Sequence, residues 1–197
     1  MANGLKKIPV WAWILGVLII LALWMVSVYN GLVMKEGSVQ STWAEVEVQY
    51  QRRSDLVPEL VATVQGAADF EQSTLLEVTE ARTNWLTTSS NPDASVEDQI
   101  AAAGAFDSAF ARLLVSVEAY PDLTATENFL TLQSQLEGTE NRVAVARMDF
   151  NNAATAFNVT IRTIPTKFVA AAFGFEAYPL FESEEGSEEA PTVDFDF

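Results

Sequence analysis

The polar residues whose types and spacing could support chemistry form one cluster near the middle of the C-terminal half: Glu137, Glu140, Asn141 and Arg142. Glu137 and Asn141 are four residues apart, so on an α-helix they lie on one face. Their oxygens could bind a divalent cation only if another helix supplied further oxygen ligands. If Arg52 or Arg53 faced the cluster across a bundle, the groups would instead form a charge network that fixes helix register. We favour that structural network or a solvated face; a partner-binding surface is the third alternative.

A second polar group, Arg53 and Asp55, lies just before Pro58. A proline inside a helix removes an amide donor and clashes with the preceding turn, so Pro58 predicts a kink or break around Ser54 and Asp55. Asp55 would then accept hydrogen bonds from the amides that the break frees. The sequence therefore favours a structural cap over a catalytic carboxylate at this position.

The composition excludes most catalytic chemistry. The chain has no histidine and no cysteine, which removes the usual general base, the Ser-His-Asp triad and thiolate sites. A net charge of −16 opposes binding to nucleic acid. We therefore predict no catalytic, cofactor-binding or metal-binding residues and no enzymatic activity. An enzyme would need two carboxylates facing each other in a concave pocket, because acid–base work would fall to Asp and Glu.

The elements that must position these residues are helices. Apolar residues recur at steps of three and four, and no long stretch alternates with period two. The clearest seam contains Phe129, Leu132, Leu136, Thr139, Val143, Ala146, Phe150, Ala153, Phe157, Ile161 and Ile164. A second, after the predicted N-cap Ser95, contains Ile100, Ala103, Phe106, Phe110, Leu113, Val117 and Tyr120. A third contains Val39, Trp43, Val46, Tyr50, Val57, Leu60, Val64, Ala67, Leu75, Val78 and Trp85. Together they predict an all-α antiparallel bundle of long helices.

Local signals bound the longest of these helices. Thr124 and Glu127 have the spacing of a capping box, which predicts a helix start near Ala125. Pro165 disfavours helix at the preceding residue, so the helix should end at Ile164 or one or two residues earlier.

The N-terminal segment predicts a membrane anchor. Residues 8–34 carry no charged side chain, and as a helix they would span about 40 Å, more than the roughly 30 Å hydrocarbon core of a bilayer. Trp11 and Trp13 lie near one end, and Trp24 and Tyr29 near the other, where aromatic rings favour the headgroup layer. The alternative, a cleaved signal, lacks a small-residue cleavage site. We expect the anchor helix to continue into Val39–Arg53 as a stalk.

Charge predicts the orientation of the anchor. Lys6 and Lys7 precede the span, whereas only Lys35 follows it closely. The positive-inside rule therefore places residues 1–7 in the cytoplasm and the bundle, residues 35–165, on the other side of the membrane.

The C-terminal residues form two further segments. Residues 166–181 are aromatic and too short to span a membrane, so they either fold back on the bundle, which we favour, or lie in the membrane interface. Residues 182–197 are acidic and predicted to be disordered. Within this tail, Val193, Phe195 and Phe197 alternate around Asp194, as in an extended peptide that docks beside a sheet edge. The alternative, a merely solvated acidic end, stays open.

Several segments resemble the LemA family. They are Tyr29–Val33, Trp43, Gln49, Arg52–Arg53, Asp55–Pro58, Leu60–Val61, Val78–Arg82, Ala119–Pro121, Glu127–Phe129, Leu136–Arg142, Ala144–Arg147, Phe150–Asn151, Asn158, Ile161–Arg162, Pro165, Phe173–Phe175 and Ala190–Phe195. The resemblance implies an N-terminally anchored bacterial membrane protein with a helical bundle and no established catalytic residues or cofactor. Gly31 and the additional Asp196-Phe197 ending depart from the family pattern.

The function that these features favour is a non-enzymatic scaffold or adaptor, anchored by a single span in the bacterial inner membrane, that recruits protein partners through its tail. One alternative is a self-associating structural or membrane-shaping protein whose 166–181 segment touches lipid. A less favoured alternative is an enzyme's regulatory subunit. The expected partners are the membrane and unidentified proteins, including further copies of this chain.

Overall fold

The computed structural model describes residues 9–66 and 71–182, and in this part the chain forms helices and connecting segments without a strand. The all-α prediction is therefore confirmed. The helices are α1 (Val10–Gln65), α2 (Gln72–Ser90), α3 (Val96–Val117), α4 (Pro121–Thr124), α5 (Glu127–Arg162) and α6 (Thr166–Phe173). The N-terminal segment 1–7 and the tail residues Val193, Asp194, Phe195 and Phe197 lie outside the described residues.

The chain divides into two compact units. We call the first the anchor unit (Met1–Ala44 and Asn152–Tyr178) and the second the bundle unit (Glu45–Asn151 and Pro179–Phe197). Helices α1 and α5 each contribute to both units.

The N-terminal half of α1 is a candidate membrane span in the anchor unit. No side chain from Val10 to Gly31 is buried, although nearly all of them are apolar. Helix α3 is also long and apolar enough to cross a membrane, but one of its faces is buried in the bundle unit. The exposed apolar surface of α1 indicates membrane association, because a water-soluble surface does not carry so large an apolar patch.

The rest of the anchor unit packs on α1 and α5. Gly174 ends α6 with φ of 76°, a left-handed conformation that glycine adopts without strain. The chain then runs to Tyr178, whose backbone amide donates to Asn158 Oδ1 (2.9 Å) and whose carbonyl accepts from Asn158 Nδ2 (2.8 Å). Residues 166–178 therefore fold back on protein, as favoured from the sequence. Helix α1 continues without interruption through Val39–Arg53, as predicted, but Val39 and Trp43 are buried, so this stretch packs against protein.

The bundle unit contains α2, α3, α4 and the remaining parts of α1 and α5. Contacts of Ser54 with Arg82 and of Tyr50 with Trp85 show that α1 and α2 are antiparallel. Helices α2 and α3 pack together across a short connection. The seam aromatics form the core of this unit, where Tyr50, Trp85, Phe106, Phe110 and Phe150 are at most 1% exposed.

The helix boundaries test the predicted caps. Ser95 caps α3 as predicted, with Ser95 Oγ accepting from the Asp98 amide and the Asp98 carboxylate accepting from the Ser95 amide, both at 3.1 Å. The predicted Thr124 cap is wrong. Thr124 is the last residue of α4, and Thr126 Oγ1 accepts from the Phe129 amide at 3.3 Å to cap α5. Helix α5 ends at Arg162, within the predicted limits.

The predicted interruption at Pro58 is also wrong, because α1 continues through Pro58 to Gln65, while the alternative of a kink stays a prediction. Pro58 has no amide hydrogen, so the Ser54 carbonyl one turn earlier lacks its helical donor. Arg82 Nε from α2 donates to that carbonyl at 2.6 Å. This bond from another helix compensates for the proline. Asp55 is consequently not a cap; it is exposed and accepts a 2.9 Å hydrogen bond from Gln51 Nε2.

Candidate functional site

The polar centre of the bundle unit is a group of five side chains that we call the ion network: Tyr50, Arg53, Asp107, Glu140 and Arg147. Helix α1 supplies the first two, α3 supplies the aspartate, and α5 supplies the last two. Tyr50 and Arg53 lie on the buried face of α1, Asp107 and Arg147 are partly buried beside seam residues, and Glu140 is exposed at the edge of the network.

Asp107 is the hub of the network. Its Oδ2 accepts from Tyr50 Oη at 2.8 Å and from Arg147 Nη2, while its Oδ1 accepts from Arg53 Nη1. Arg53 Nη2 also donates to Glu140 Oε2. The side chain of Arg53 is only 3% exposed, and that of Asp107 is 16% exposed. The network thus joins α1, α3 and α5 through one carboxylate.

Aromatic rings cover both guanidinium groups. The Arg53 guanidinium carbon lies 4.5 Å from the ring centroid of Phe110, and that of Arg147 lies 4.8 Å from the centroid of Phe181. Asn151 fixes Phe181 by donating to its carbonyl at 2.9 Å and accepting from its amide at 3.0 Å. Such cation–π contacts stabilise a cation whose water has been removed.

The electrostatics favour a structural role. Burial raises the pKa of Tyr50 to about 12, although Arg147 and Arg53 act to lower it. Burial lowers the pKa of Arg53 to about 10, so its guanidinium stays cationic at neutral pH. The positive charges of Arg53 and Arg147 then balance the negative charges of Asp107 and Glu140. Neither shifted pKa lies near 7, where a general acid or base works best.

A groove with a volume of about 560 Å³ is lined in part by the ion network, through Arg53, Asp107, Glu140 and Arg147. Its apolar walls are formed by Phe110, Ala111, Leu114, Val117, Phe129 and Leu136. Three glutamates also line it, and of these Glu140 is paired with Arg53, whereas Glu118 and Glu137 are exposed acids. The groove therefore combines apolar surface with negative charge.

The structure brings together only some of the residues singled out from the sequence. Arg53 and Glu140 meet in the ion network. Glu137 lines the groove and accepts from Gln133 at 3.1 Å. The other singled-out residues are exposed and take no part in the network: Arg52, Asp55, Asn141 and Arg142. In residues 9–66 and 71–182 no three acidic side chains are grouped so that they could hold a metal ion.

Sequence reasoning missed three members of the network. Tyr50 was assigned to the apolar seam, which is correct for its ring but not for its hydroxyl. Asp107 carried a usable signal, because it is the only charged residue between Asp98 and Arg112 on an otherwise apolar helix. Arg147 lies between the seam residues Ala146 and Phe150 and carries a similar, weaker signal.

Comparison with known proteins gives consistent results. The model of the LemA family matches residues 42–195. The chain is 26% identical over 177 residues to the magnetosome protein MamQ 2 of Paramagnetospirillum magneticum, covering 79% of this chain and 65% of that protein. It is 25% identical to MamQ of Magnetospirillum gryphiswaldense, with the same coverage. It is 24% identical over 156 residues to the protein LemA of Metamycoplasma hominis, covering 79% of this chain and 69% of the relative. The chain thus spans slightly less than two thirds of the MamQ proteins.

Proposed function

The chain belongs to the LemA family, and from this premise we propose that it is a non-enzymatic, membrane-anchored scaffold whose bundle unit holds a partner protein at the membrane. The exposed apolar part of α1 supplies the anchor. The bundle unit supplies a packed helical body with a groove on its surface.

The observation that carries this proposal is the use of the interior carboxylate. Asp107 accepts hydrogen bonds from two arginines and a tyrosine, so its carboxylate is fully paired and links three helices. An enzyme built without histidine or cysteine would need such a carboxylate to face a substrate. Removing one partner of a buried ion pair costs about 3–5 kcal/mol, so a carboxylate held in this way is better suited to stabilising a scaffold than to catalysis.

The groove supplies the contact for the partner. Its apolar walls would bury apolar side chains, and Glu118 and Glu137 at its rim would attract basic ones. We therefore assign it to a partner segment that combines apolar and basic residues. The chemistry resembles helix-in-groove recognition, in which apolar anchors fill the groove and rim charges set specificity.

Site-specific photo-crosslinking in membranes from the native host tests this assignment. A photoreactive residue at Gln133, inside the groove, should capture one reproducible partner, whereas the same residue at Val145, on another face of α5, should not. Combining Glu118→Lys with Glu137→Lys should abolish the adduct from position 133. An adduct that survives this charge reversal, or that forms equally from position 145, would show that the groove is not the docking surface.

The tail is proposed as a second recruiting element. Val193, Phe195 and Phe197 supply apolar side chains in an otherwise acidic segment. Phe195→Ala combined with Phe197→Ala should lower partner recovery from solubilised membranes, whereas Ser187→Ala should not. Unchanged recovery with the double variant would show that the tail is only a solvated acidic segment and does not recruit the partner.

Self-association is the alternative proposal. Light scattering of the purified full-length protein in detergent distinguishes the two, because a scaffold for another protein should be monomeric at micromolar concentration. A stable oligomer that persists in the Glu118→Lys, Glu137→Lys variant would favour the self-associating structural role.

A further inference from the structure

Helix α6 of the anchor unit is apolar on two faces. Val169 and Ala170 face inward and are each 3% exposed. Phe168, on the outward face, is 69% exposed and is accompanied there by the exposed Ala171 and Ala172. Ile164, just before the helix, is 76% exposed although it belongs to the apolar seam, because α5 ends two residues earlier. A contiguous outward apolar face of this kind marks a surface that contacts protein or membrane.

The position of α6 along α1 indicates what covers it. The ring of Phe173 lies 4.8 Å from that of Tyr29, and the ring of Phe175 lies 5.8 Å from it. From Val10 to Tyr29 the helix rises by roughly 28 Å, close to the roughly 30 Å core of a bilayer. The first buried residue of α1, Leu32, follows one turn later. Helix α6 therefore packs on α1 where the apolar span ends.

The charges around α6 differ from those of the rest of the chain. Arg162 and Lys167 flank its exposed face, and no acidic residue occurs between Asp149 and Glu176. Residues 150–175 thus carry a charge of +2 in a chain whose net charge is −16, with acids next at Glu176 and, on α1, at Glu36, which acts on Tyr178. Basic residues beside an apolar face are typical of helices that lie in the interface of an anionic membrane.

We infer that α6 is a second membrane contact, which lies in the headgroup layer of the bilayer that α1 crosses. Its outward face is formed by Ile164, Phe168, Ala171 and Ala172, while Arg162 and Lys167 reach lipid phosphates. This contact sets the depth and rotation of the anchor unit, since a helix alone is free to rotate about its axis. The inference rests on the anchoring part of the proposed function.

Fluorescence quenching in lipid vesicles tests the inference. The natural sequence has no cysteine, so a single introduced cysteine carries the only label. Labelled full-length protein is reconstituted into three parts phosphatidylcholine to one part phosphatidylglycerol. Nitroxide lipids carry the quencher either near the headgroup or in the middle of the acyl chain. The labelled variants are Leu18→Cys in the span, Phe168→Cys in α6, and Val48→Cys on α1 beyond the anchor unit.

We expect the label at 18 to respond mainly to the deep nitroxide and the label at 168 mainly to the shallow one. The ratio of shallow to deep quenching should be at least about twofold higher at 168, since interfacial helices insert only about 5–10 Å. The label at 48 should respond to neither. Because Phe168→Cys removes part of the contact, Ala172→Cys provides a second reporter that keeps Phe168, and it should respond like 168.

The outcomes separate this inference from the anchoring itself. If the label at 18 is quenched but those at 168 and 172 behave like the one at 48, the membrane contact of α6 is wrong and the anchor stands. If the label at 18 is not quenched, the proposed anchor and the proposed membrane contact of α6 are both wrong. If the labels in α6 are shielded from the nitroxides and also from aqueous iodide, another copy of the chain covers this face, which likewise overturns the inference.

Discussion

Replacing Arg82 by methionine removes the donor to the Ser54 carbonyl while keeping a side chain of similar length. Ser54 is fully buried, and Pro58 provides no amide hydrogen for this carbonyl, so Arg82 Nε is its donor. Leaving a buried polar group unsatisfied lowers the free energy of unfolding by about 1–3 kcal/mol. For a chain of roughly this size, each kcal/mol lowers Tm by about 2–4 °C.

Pro58→Ala tests whether the proline is the cause. Alanine at 58 carries an amide hydrogen that can donate to the Ser54 carbonyl as an ordinary helical bond. With alanine at position 58, Arg82→Met should cause a smaller loss of unfolding free energy than it does with proline at position 58. The two losses should differ by at least about 1 kcal/mol. The difference measures the coupling between the arginine and the missing amide.

The assay is guanidinium-induced unfolding of the full-length protein in detergent, followed by far-ultraviolet circular dichroism for the four members of the cycle. Arg112→Met is the matched control, because Arg112 pairs with Glu77 while both are exposed, and it should change stability by less than about 1 kcal/mol. If Arg82→Met is equally destabilising with proline and with alanine at position 58, the compensation argument is refuted.

Three further predictions follow from the network and the anchor. Asp107→Asn should lower the free energy of unfolding by about 3–5 kcal/mol, because it leaves the buried Arg53 with Glu140 alone and the part-buried Arg147 without a carboxylate partner, whereas the exposed Asp55→Asn should have little effect; denaturant unfolding measures both. The pKa of Tyr50 is about 12 in the folded protein and about 10 in the unfolded chain. As the pH rises from about 10 to about 12, the natural protein should therefore lose about 2–3 kcal/mol of stability relative to Tyr50→Phe. Unfolding of both proteins at the two ends of this pH window measures the difference. A cysteine at Ser134 should react with a membrane-impermeant maleimide in intact cells if the bundle is extracytoplasmic, and reaction only after lysis would reverse the proposed orientation.

The helices themselves were predictable because their apolar seams repeat at helical spacing. Leu132, Leu136 and Val143 are all buried, as the seam requires. Periodicity identifies the buried face of each helix but does not identify the side chain that meets it from another helix. The interruption at Pro58 was predicted wrongly because Arg82, the donor that compensates for the proline, comes from another helix.

The polar site was predictable only in part, because the sequence identifies charged residues but not the side chains that they meet in the fold. Arg53 and Glu140 were candidates because opposite charges on two helices invite pairing. Asp107 was missed because its importance depends on two arginines that are far from it in the sequence. The Thr124 cap failed because Pro121 starts a short helix of its own, which uses Thr124 before α5 begins. Competing local signals of this kind are resolved only by the packed structure.

The ion network also imposes an order on the assembly of the chain during its synthesis. Arg53 precedes its two carboxylate partners by 54 and 87 residues. At about 5–20 residues per second, the ribosome produces Glu140 roughly 4–17 s after Arg53. Until Asp107 has been synthesised the guanidinium has no carboxylate partner and stays in water, because an uncompensated buried charge is unfavourable. Closure of the network therefore waits for α5, which is the last of the three contributing helices to be synthesised.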